Sequence, residues 1–480
     1  MITITRETAR RLRSILRRSV LGITYRGTIP PLLLRAEGTQ LRAHYRYGPV
    51  AVEHIESGPF GPVSSIALPL DALADFEGRD GKPVAIEAAG PDRTMVRWED
   101  RGIPQIREYE VTPLDDLEPF PEPPETWESG SQELLAALAQ AAETGTSDSP
   151  RYALDCIQLR GTARKIVATD GHQLLIRSGC AFPWDGDVLI KGLPIFAARG
   201  LPREQPVQIA RTDTHVVLRI GPWTIFSEIQ RDARFPSVED VIPDDAAVTT
   251  RIRIDPADAG FLAAALERLP GNDEPHSPAT IELNGTLAIR ARAADQSQIT
   301  ELVLNRSSYS GTSTRINTNR TYLSRALRLG FGAIGLSGVG TPVVCREQAR
   351  IYAWQPLGGD AAIEPAESVI RIESSPTTHE VIPAHTGPET PRQVMSEPVR
   401  RHNHEPAVQA TDNGHAGNET TGASLASLIQ DAEALHATLS EARSSVARLI
   451  SGLRRQRKQS KLLSETLKSL RQLKLTEVAE

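Results

Sequence analysis

Three segments of this chain each open with a β-like run and continue into a helical pattern of similar length: ITITRETARRLRSIL from Ile2, ETWESGSQELLAALAQAA from Glu125 and RIRIDPADAGFLAAALERL from Arg251. Internal repetition of this kind restricts the fold more than any single motif, because each copy must solve the same packing problem. The third copy carries a clear helix start, with Asp255 as N-cap, Pro256 at the first helical position and Asp258 in the first turn. A second strand-then-helix pattern recurs later in each unit, as SIALPLDALADF, DVLIKGLPIFAARGL and STRINTNRTYLSRALRLG. After each of these comes a Pro-Val pair, Pro83-Val84, Pro206-Val207 and Pro342-Val343, at offsets of 123 and 136 residues. One βαβββ-like half is therefore used six times, two per unit. The unit boundaries fall at the turn-rich stretches PFPEPPE (119–125) and VIPDDAAV (241–248), which predicts domains at 1–122, 126–246 and 248–358.

Beyond Gly358 the repeat stops. Residues 359–421 are rich in Pro, Glu, Thr, His, Asn and Gly, a composition that predicts a flexible linker. Residues 422–476 differ again: apolar or small residues recur every three or four positions, through Leu425, Leu428, Ala432, Leu435 and Leu439, on to Leu463, Leu467 and Leu470. That spacing predicts a coiled coil of unspecified partner, with a weak point at Gln456 and Ser460 beside the basic run RRQRKQSK. Charge follows the same division. The whole chain has a formal charge of −6, but Arg443 to Lys474 holds ten basic residues against one acid, so +9 sits there and about −15 on the remainder. An acidic body argues against nucleic acid only where its basic residues are evenly scattered. The first helix gathers Arg6, Arg10, Arg11, Arg13, Arg17 and Arg18, and the last gathers Arg320, Arg325 and Arg328.

Several chemistries are excluded on spacing. The three cysteines, Cys156, Cys180 and Cys345, are too far apart for a zinc knuckle or a disulfide framework. GFGAIG (330–335) spells a dinucleotide motif but follows a helical pattern and opens no helix, so it reads as a turn. No phosphate-binding GxxxxGK[ST] loop occurs, and His402-Asn403-His404 lies in the linker. No apolar run is long enough to span a membrane and the N-terminus does not read as a signal peptide, so a cytoplasmic protein without membrane attachment is expected. Asp170 and His172, in VATDGHQLLI (167–176), invite a catalytic reading, yet the sequence offers no nucleophile or substrate partner for them. No enzyme, cofactor or metal site is expected.

VATDGHQLLI closely resembles the VATDGHRL hairpin of the bacterial sliding clamp, the beta subunit of DNA polymerase III. RYALDCIQL (151–159), RDARFPSVEDVIP (231–243) and RIYAWQPL (350–357) are supporting matches in the right order, and the resemblance covers residues 1–358. It implies an α+β, three-domain DNA-clamp fold in which two chains close head to tail into a homodimeric ring, with sheets outside and helices lining the hole. The implied function is to encircle double-stranded DNA, after a clamp loader opens the ring, and to tether DNA polymerase or repair proteins for processive synthesis. The alternative is a clamp-fold paralogue that acts as a protein-interaction scaffold through its coiled coil without holding DNA.

The resemblance also implies two sites. A pocket for an apolar partner peptide would use Thr169, Gly171, His172 and Leu174 from the hairpin, Pro236 and Val241 from RFPSVEDV, and Val343 and Gln355 from the third unit. Gln173 stands where the family usually has Arg, Asp240 where a basic residue is common, and Gln355 where an apolar residue is usual. DNA would be met by Arg10, Arg13, Arg17, Arg26, Lys191, Arg320, Arg325 and Arg328, although the second-unit helix SQELLAALAQ offers no basic residue.

Overall fold

The computed structural model describes residues 1–23, 29–146, 151–272, 274–366 and 369–374. Its first unit runs β1 (Ile2–Thr5), α1 (Arg6–Ser19), β2 (Leu32–Tyr47), β3 (Val50–Leu68), α2 (Leu73–Phe76), β4 (Pro83–Ala88), β5 (Arg93–Asp100) and β6 (Ile103–Glu110). The second runs β7 (Glu128–Ser129), α3 (Leu134–Ala142), β8 (Cys156–Arg160), β9 (Lys165–Thr169), β10 (Gln173–Ser178), β11 (Asp187–Lys191), a 3-10 turn at Pro194–Ala197, β12 (Val207–Arg211), β13 (His215–Ile220) and β14 (Trp223–Glu228). The third runs β15 (Thr250–Arg253), α4 (Pro256–Leu266), β16 (Pro278–Asn284), β17 (Thr286–Ala291), β18 (Ile299–Val303), β19 (Ser308–Gly311), β20 (Thr314–Asn319), α5 (Arg320–Arg328), β21 (Ala333–Leu336), β22 (Val343–Glu347) and β23 (Arg350–Trp354). A last strand, β24 (Val369–Glu373), follows.

Each half is a strand, a helix or helical turn, and a three-strand meander; in the first unit long bulged strands fuse what are separate strands elsewhere. The sheets do not stop at the unit boundaries. A six-stranded sheet, ordered β2-β3-β14-β13-β12-β7, joins the first unit to the second through antiparallel β3 and β14, with Trp223 opposite His54 and Ser227 opposite Val50. A nine-stranded sheet, β11-β8-β9-β10-β23-β22-β21-β15-β19, joins the second to the third through antiparallel β10 and β23, from Gln173 opposite Trp354 to Arg177 opposite Arg350. The outer two sheets are β1-β4-β5-β6 and β20-β16-β17-β18-β24.

Helix α1 forms because Ala9, Leu12, Ile15 and Leu16 fall on one face and are all fully buried, while Thr5 caps the first turn by accepting from the Thr8 N–H at 3.0 Å. The start read at Asp255 is realised in α4, where its carboxylate accepts from the Ala257 N–H at 2.9 Å. In β16 and β17 the alternation places Ile281, Leu283, Leu287 and Ile289 in the core and Glu282 and Arg290 on the opposite face. There buried Arg290 donates to Glu282 and Glu301 at 2.8 Å each, and the remaining negative charge is met by Arg315, whose Nε donates to Glu282 at 2.6 Å. GFGAIG is a turn entering a strand: Gly330 has φ +85° and β21 follows, with no helix start to hold a phosphate.

The reading of a linker from residue 359 requires correction. The Leu357 N–H donates to the Asn317 carbonyl at 2.8 Å, the Ile363 N–H to Thr280 Oγ1 at 2.9 Å, and Glu364 pairs with Arg315. Val369–Glu373 then adds a parallel strand to β18. Its sequence, VIRIE, is a short period-2 run of β-branched residues that the average composition of the surrounding stretch conceals. The rest of the expected linker and the expected coiled coil at 422–476 lie outside the described residues. Among the described residues no helix is long and apolar enough to cross a membrane.

Candidate peptide pocket and nucleic-acid surface

The hairpin between β9 and β10 is built around Asp170. Its Oδ1 accepts from the His172 and Gln173 N–H groups at 2.8 and 2.7 Å, and the Thr169 hydroxyl accepts from the Gly171 N–H while donating to the Gln173 carbonyl. Gly171 turns the chain at φ +91°, a conformation that disfavours side chains. Asp170 Oδ2 also receives Gln173 Nε2 at 2.9 Å and the Tyr322 hydroxyl at 3.2 Å. Burial raises the Tyr322 phenol above its ordinary value, and the Asp170 charge raises it further, so this hydroxyl stays a donor. Asp170 thus organises a turn. His172 is exposed at the tip, and its own carbonyl receives the Gln355 N–H at 2.8 Å, joining the hairpin to the end of β23.

Gln173, the departure from Arg, completes this network. It is buried; its Nε2 reaches the Thr144 carbonyl at 3.3 Å as well as Asp170, and its Oε1 accepts from the Tyr352 hydroxyl at 2.6 Å. An amide both donates and accepts, which an Arg cannot do, so the neighbouring tyrosine suits Gln specifically. Beside it, the RFPSVEDVIP run lies over the outer face of β9 and β10, where Phe235, Val238 and Ile242 pack with Val167, Leu174 and Ile176.

These elements enclose a cavity of about 260 Å³. Thr169, Gly171, His172, Leu174, Pro236, Val241 and Gln355 all line it. Val343 does not: it is 1% exposed, facing Trp354 across the ladder, and its neighbour Pro342 takes the lining position. The sequence reading also missed Val238, Ala353 and Trp354 as lining residues. The repeated Pro-Val pair was the available signal for Pro342; Trp354 holds its place because its indole N–H donates to Thr318 Oγ1 at 2.8 Å. Asp240 is exposed beside Val241, itself 56% exposed at the rim, and Gln355 Nε2 donates to the Gly340 carbonyl at 2.8 Å. The walls are mainly apolar with a few fixed polar groups, a form suited to a short apolar peptide. Among the described residues no cluster of His, Cys, Asp or Glu has the arrangement of a metal site.

The arginines divide sharply. Arg10 and Arg17 are exposed on α1 and, with Arg13 and Arg18, line one basic depression; Arg13 is partly neutralised by Glu77 at 2.7 Å. Arg6, in the same helix, is a buried brace that donates to the Phe76, Glu77 and Glu99 carbonyls. Arg320 is 1% exposed and donates to the carbonyls of Leu269, Pro270, Ser277 and Pro278, so it corrects the expectation of a DNA contact. Arg325 is likewise held, by the Gln140 and Glu143 carbonyls and Thr144 Oγ1, and bridges α5 to the end of α3. Lys191 is paired with Asp155. Arg328 is exposed beside Glu267, and Arg26 lies outside the described residues. Exposed Arg199 went unnoticed in the sequence; its neighbour Gly200 packs against Ile15 and Ser14, which places it at α1.

The continuous sheets, the inter-unit cavity and the arginine-bearing helix together define a sliding-clamp fold. The particular likeness is to the beta subunit of bacterial DNA polymerase III. The chain superposes on the DNA polymerase III subunit beta sliding clamp of Pseudomonas aeruginosa bound to griselimycin with a TM-score of 0.60 at 21% identity, over 74% of this chain and 98% of that one. It matches the DNA polymerase III subunit beta of Borrelia burgdorferi, in complex with a natural product, with a TM-score of 0.61 at 12% identity, over 75% and 99%. A DNA polymerase III beta subunit from Eubacterium rectale gives 0.60 at 16%, over 74% and 99%. No protein-family model and no curated protein matches the sequence.

Proposed function

We propose that this chain is a non-enzymatic DNA sliding clamp that closes with a second copy around duplex DNA and presents the cavity beside Trp354 to a polymerase or repair protein. The observation that carries this reading is the clamp fold across nearly the full length of the solved clamps, with four arginines of α1 lining a single basic depression. Phosphate attraction needs positive charge only where DNA passes, so a net acidic body is no obstacle. In this reading α1 supplies most of that charge, because Arg320 and Arg325 are committed to holding the fold. The partner peptide enters over Val241 and sets an apolar side chain against Leu174 and Trp354, while the hairpin backbone fixes its orientation.

Topological binding is the decisive property. After treatment with a clamp loader, the full chain is expected to be retained on nicked circular plasmid and to be released when that plasmid is linearised. Retention that is absent, or equal on both forms, would replace the clamp by the scaffold reading, in which the C-terminal segment does the recruiting.

A further inference from the structure

The two joints inside the chain follow one rule. In each, the third strand of a unit's first half (the start of β3, then β10) pairs antiparallel with the last strand of the next unit's second half (β14, then β23). Carried one step further, the rule gives β18 as the strand that receives a following unit, since it is third in the β16-β17-β18 meander. The strand it would receive is β6, which ends the β4-β5-β6 meander and has a partner on one side only among the described residues. That edge strand displays Ile103 and Ile106, each 63% exposed. Within the chain β6 and β18 belong to different sheets, so the β6 that continues the rule here is that of a second copy.

The outer edge of β18 is not open. β24 lies along it in parallel register, from Val369 opposite Ile299 to Glu373 opposite Val303. Its end is fastened by Ser374, whose N–H donates to the Val303 carbonyl at 2.9 Å and whose Oγ accepts from the Asn305 N–H at 2.9 Å. Arg371 approaches Glu301 at 3.9 Å on the face that carries the buried Arg290. All five residues of β18 are buried under this arrangement.

The cover is light by comparison with the internal joints. Those are antiparallel and close over Trp223 and Phe226, or Tyr352 and Trp354, all buried. β24 is parallel, a weaker ladder per residue, and leaves Ile370 51% and Ile372 42% exposed. A strand held mainly by its backbone can be exchanged for another that offers the same hydrogen bonds and more apolar contact.

We propose that β24, with its anchor Ser374, is a removable self-cap on the edge where β6 of a second copy joins, so that the chain competes with its own partner for β18. The inference rests on the ring reading, but its test measures association without DNA and so fails separately from plasmid retention. Two variants of the full chain set the cap's state. Thr300→Cys with Ile370→Cys places two thiols directly opposite and locks the cap on oxidation, whereas Arg371→Glu with Ser374→Pro removes its fastenings.

By sedimentation velocity over a concentration series, the released chain is expected to associate at a concentration at least about tenfold below that of the locked chain, because the cap lowers the fraction competent to pair. Reduction should return the locked chain to wild-type behaviour, and Ile103→Lys with Ile106→Lys should abolish the gain in the released chain. Equal association of the locked and released chains would overturn the proposal. It would mean that β6 adds outside β24 or that the copies meet through the C-terminal segment.

Discussion

Val241 and Leu174 face the same cavity but differ in what they support. Val241 is 56% exposed at the rim, whereas Leu174 is 4% exposed and belongs to the cluster that holds the RFPSVEDVIP run on its strands. From sequence alone Leu174 is one of four hairpin residues with nothing to set it apart; the ladder puts it inside β10, opposite Thr169 and Ala353. Val241→Asp is therefore expected to weaken binding of a labelled polymerase-type docking peptide by about tenfold or more, while changing stability by no more than ~0.5 kcal/mol. Leu174→Asp buries an unpaired charge and should cost roughly 3–5 kcal/mol, losing the peptide together with the fold. Fluorescence anisotropy beside thermal unfolding separates the two, and equal unfolding losses would contradict this division.

At the scale of elements, the helices show what an arginine count conceals. Periodicity identified α1 and α5 as basic, but it could not distinguish Arg320, surrounded by four carbonyls, from Arg10, open to solvent. Those carbonyls come from the segment Leu269–Pro278, brought to the start of α5 by tertiary packing that has no local sequence signal. Arg10→Glu with Arg17→Glu is expected to lower DNA affinity and to flatten the logarithmic salt dependence by roughly 2, since each phosphate contact contributes about 0.9. Arg320→Ala should cost on the order of 3–5 kcal/mol of stability and leave that slope unchanged. Filter binding across salt concentrations checks both, and a slope that follows Arg320 instead would reverse the assignment.

For the whole molecule, the six-fold use of one half was readable because it recurs along the chain, and the VATDGHQLLI hairpin because its contiguous residues resemble a known motif. The pairing of β3 with β14 and of β10 with β23 was not, because strands more than a hundred residues apart meet only through the rule that repeats them in space. β24 escaped for a different reason: five suitable residues were averaged into a long polar stretch. The joints also determine what the connecting segments do. Because a ladder of backbone hydrogen bonds crosses each boundary, the peptide chain at Glu122-Pro123, exposed to solvent, is not what keeps the first two units together. The chain is then severable without being separable: a protease site inserted at Glu122 and cleaved should give two bands under denaturing conditions and one particle of unchanged mass under native ones. The nicked chain keeps its shared sheet, so the peptide link serves delivery of the units during folding and the β3–β14 ladder holds them together afterwards.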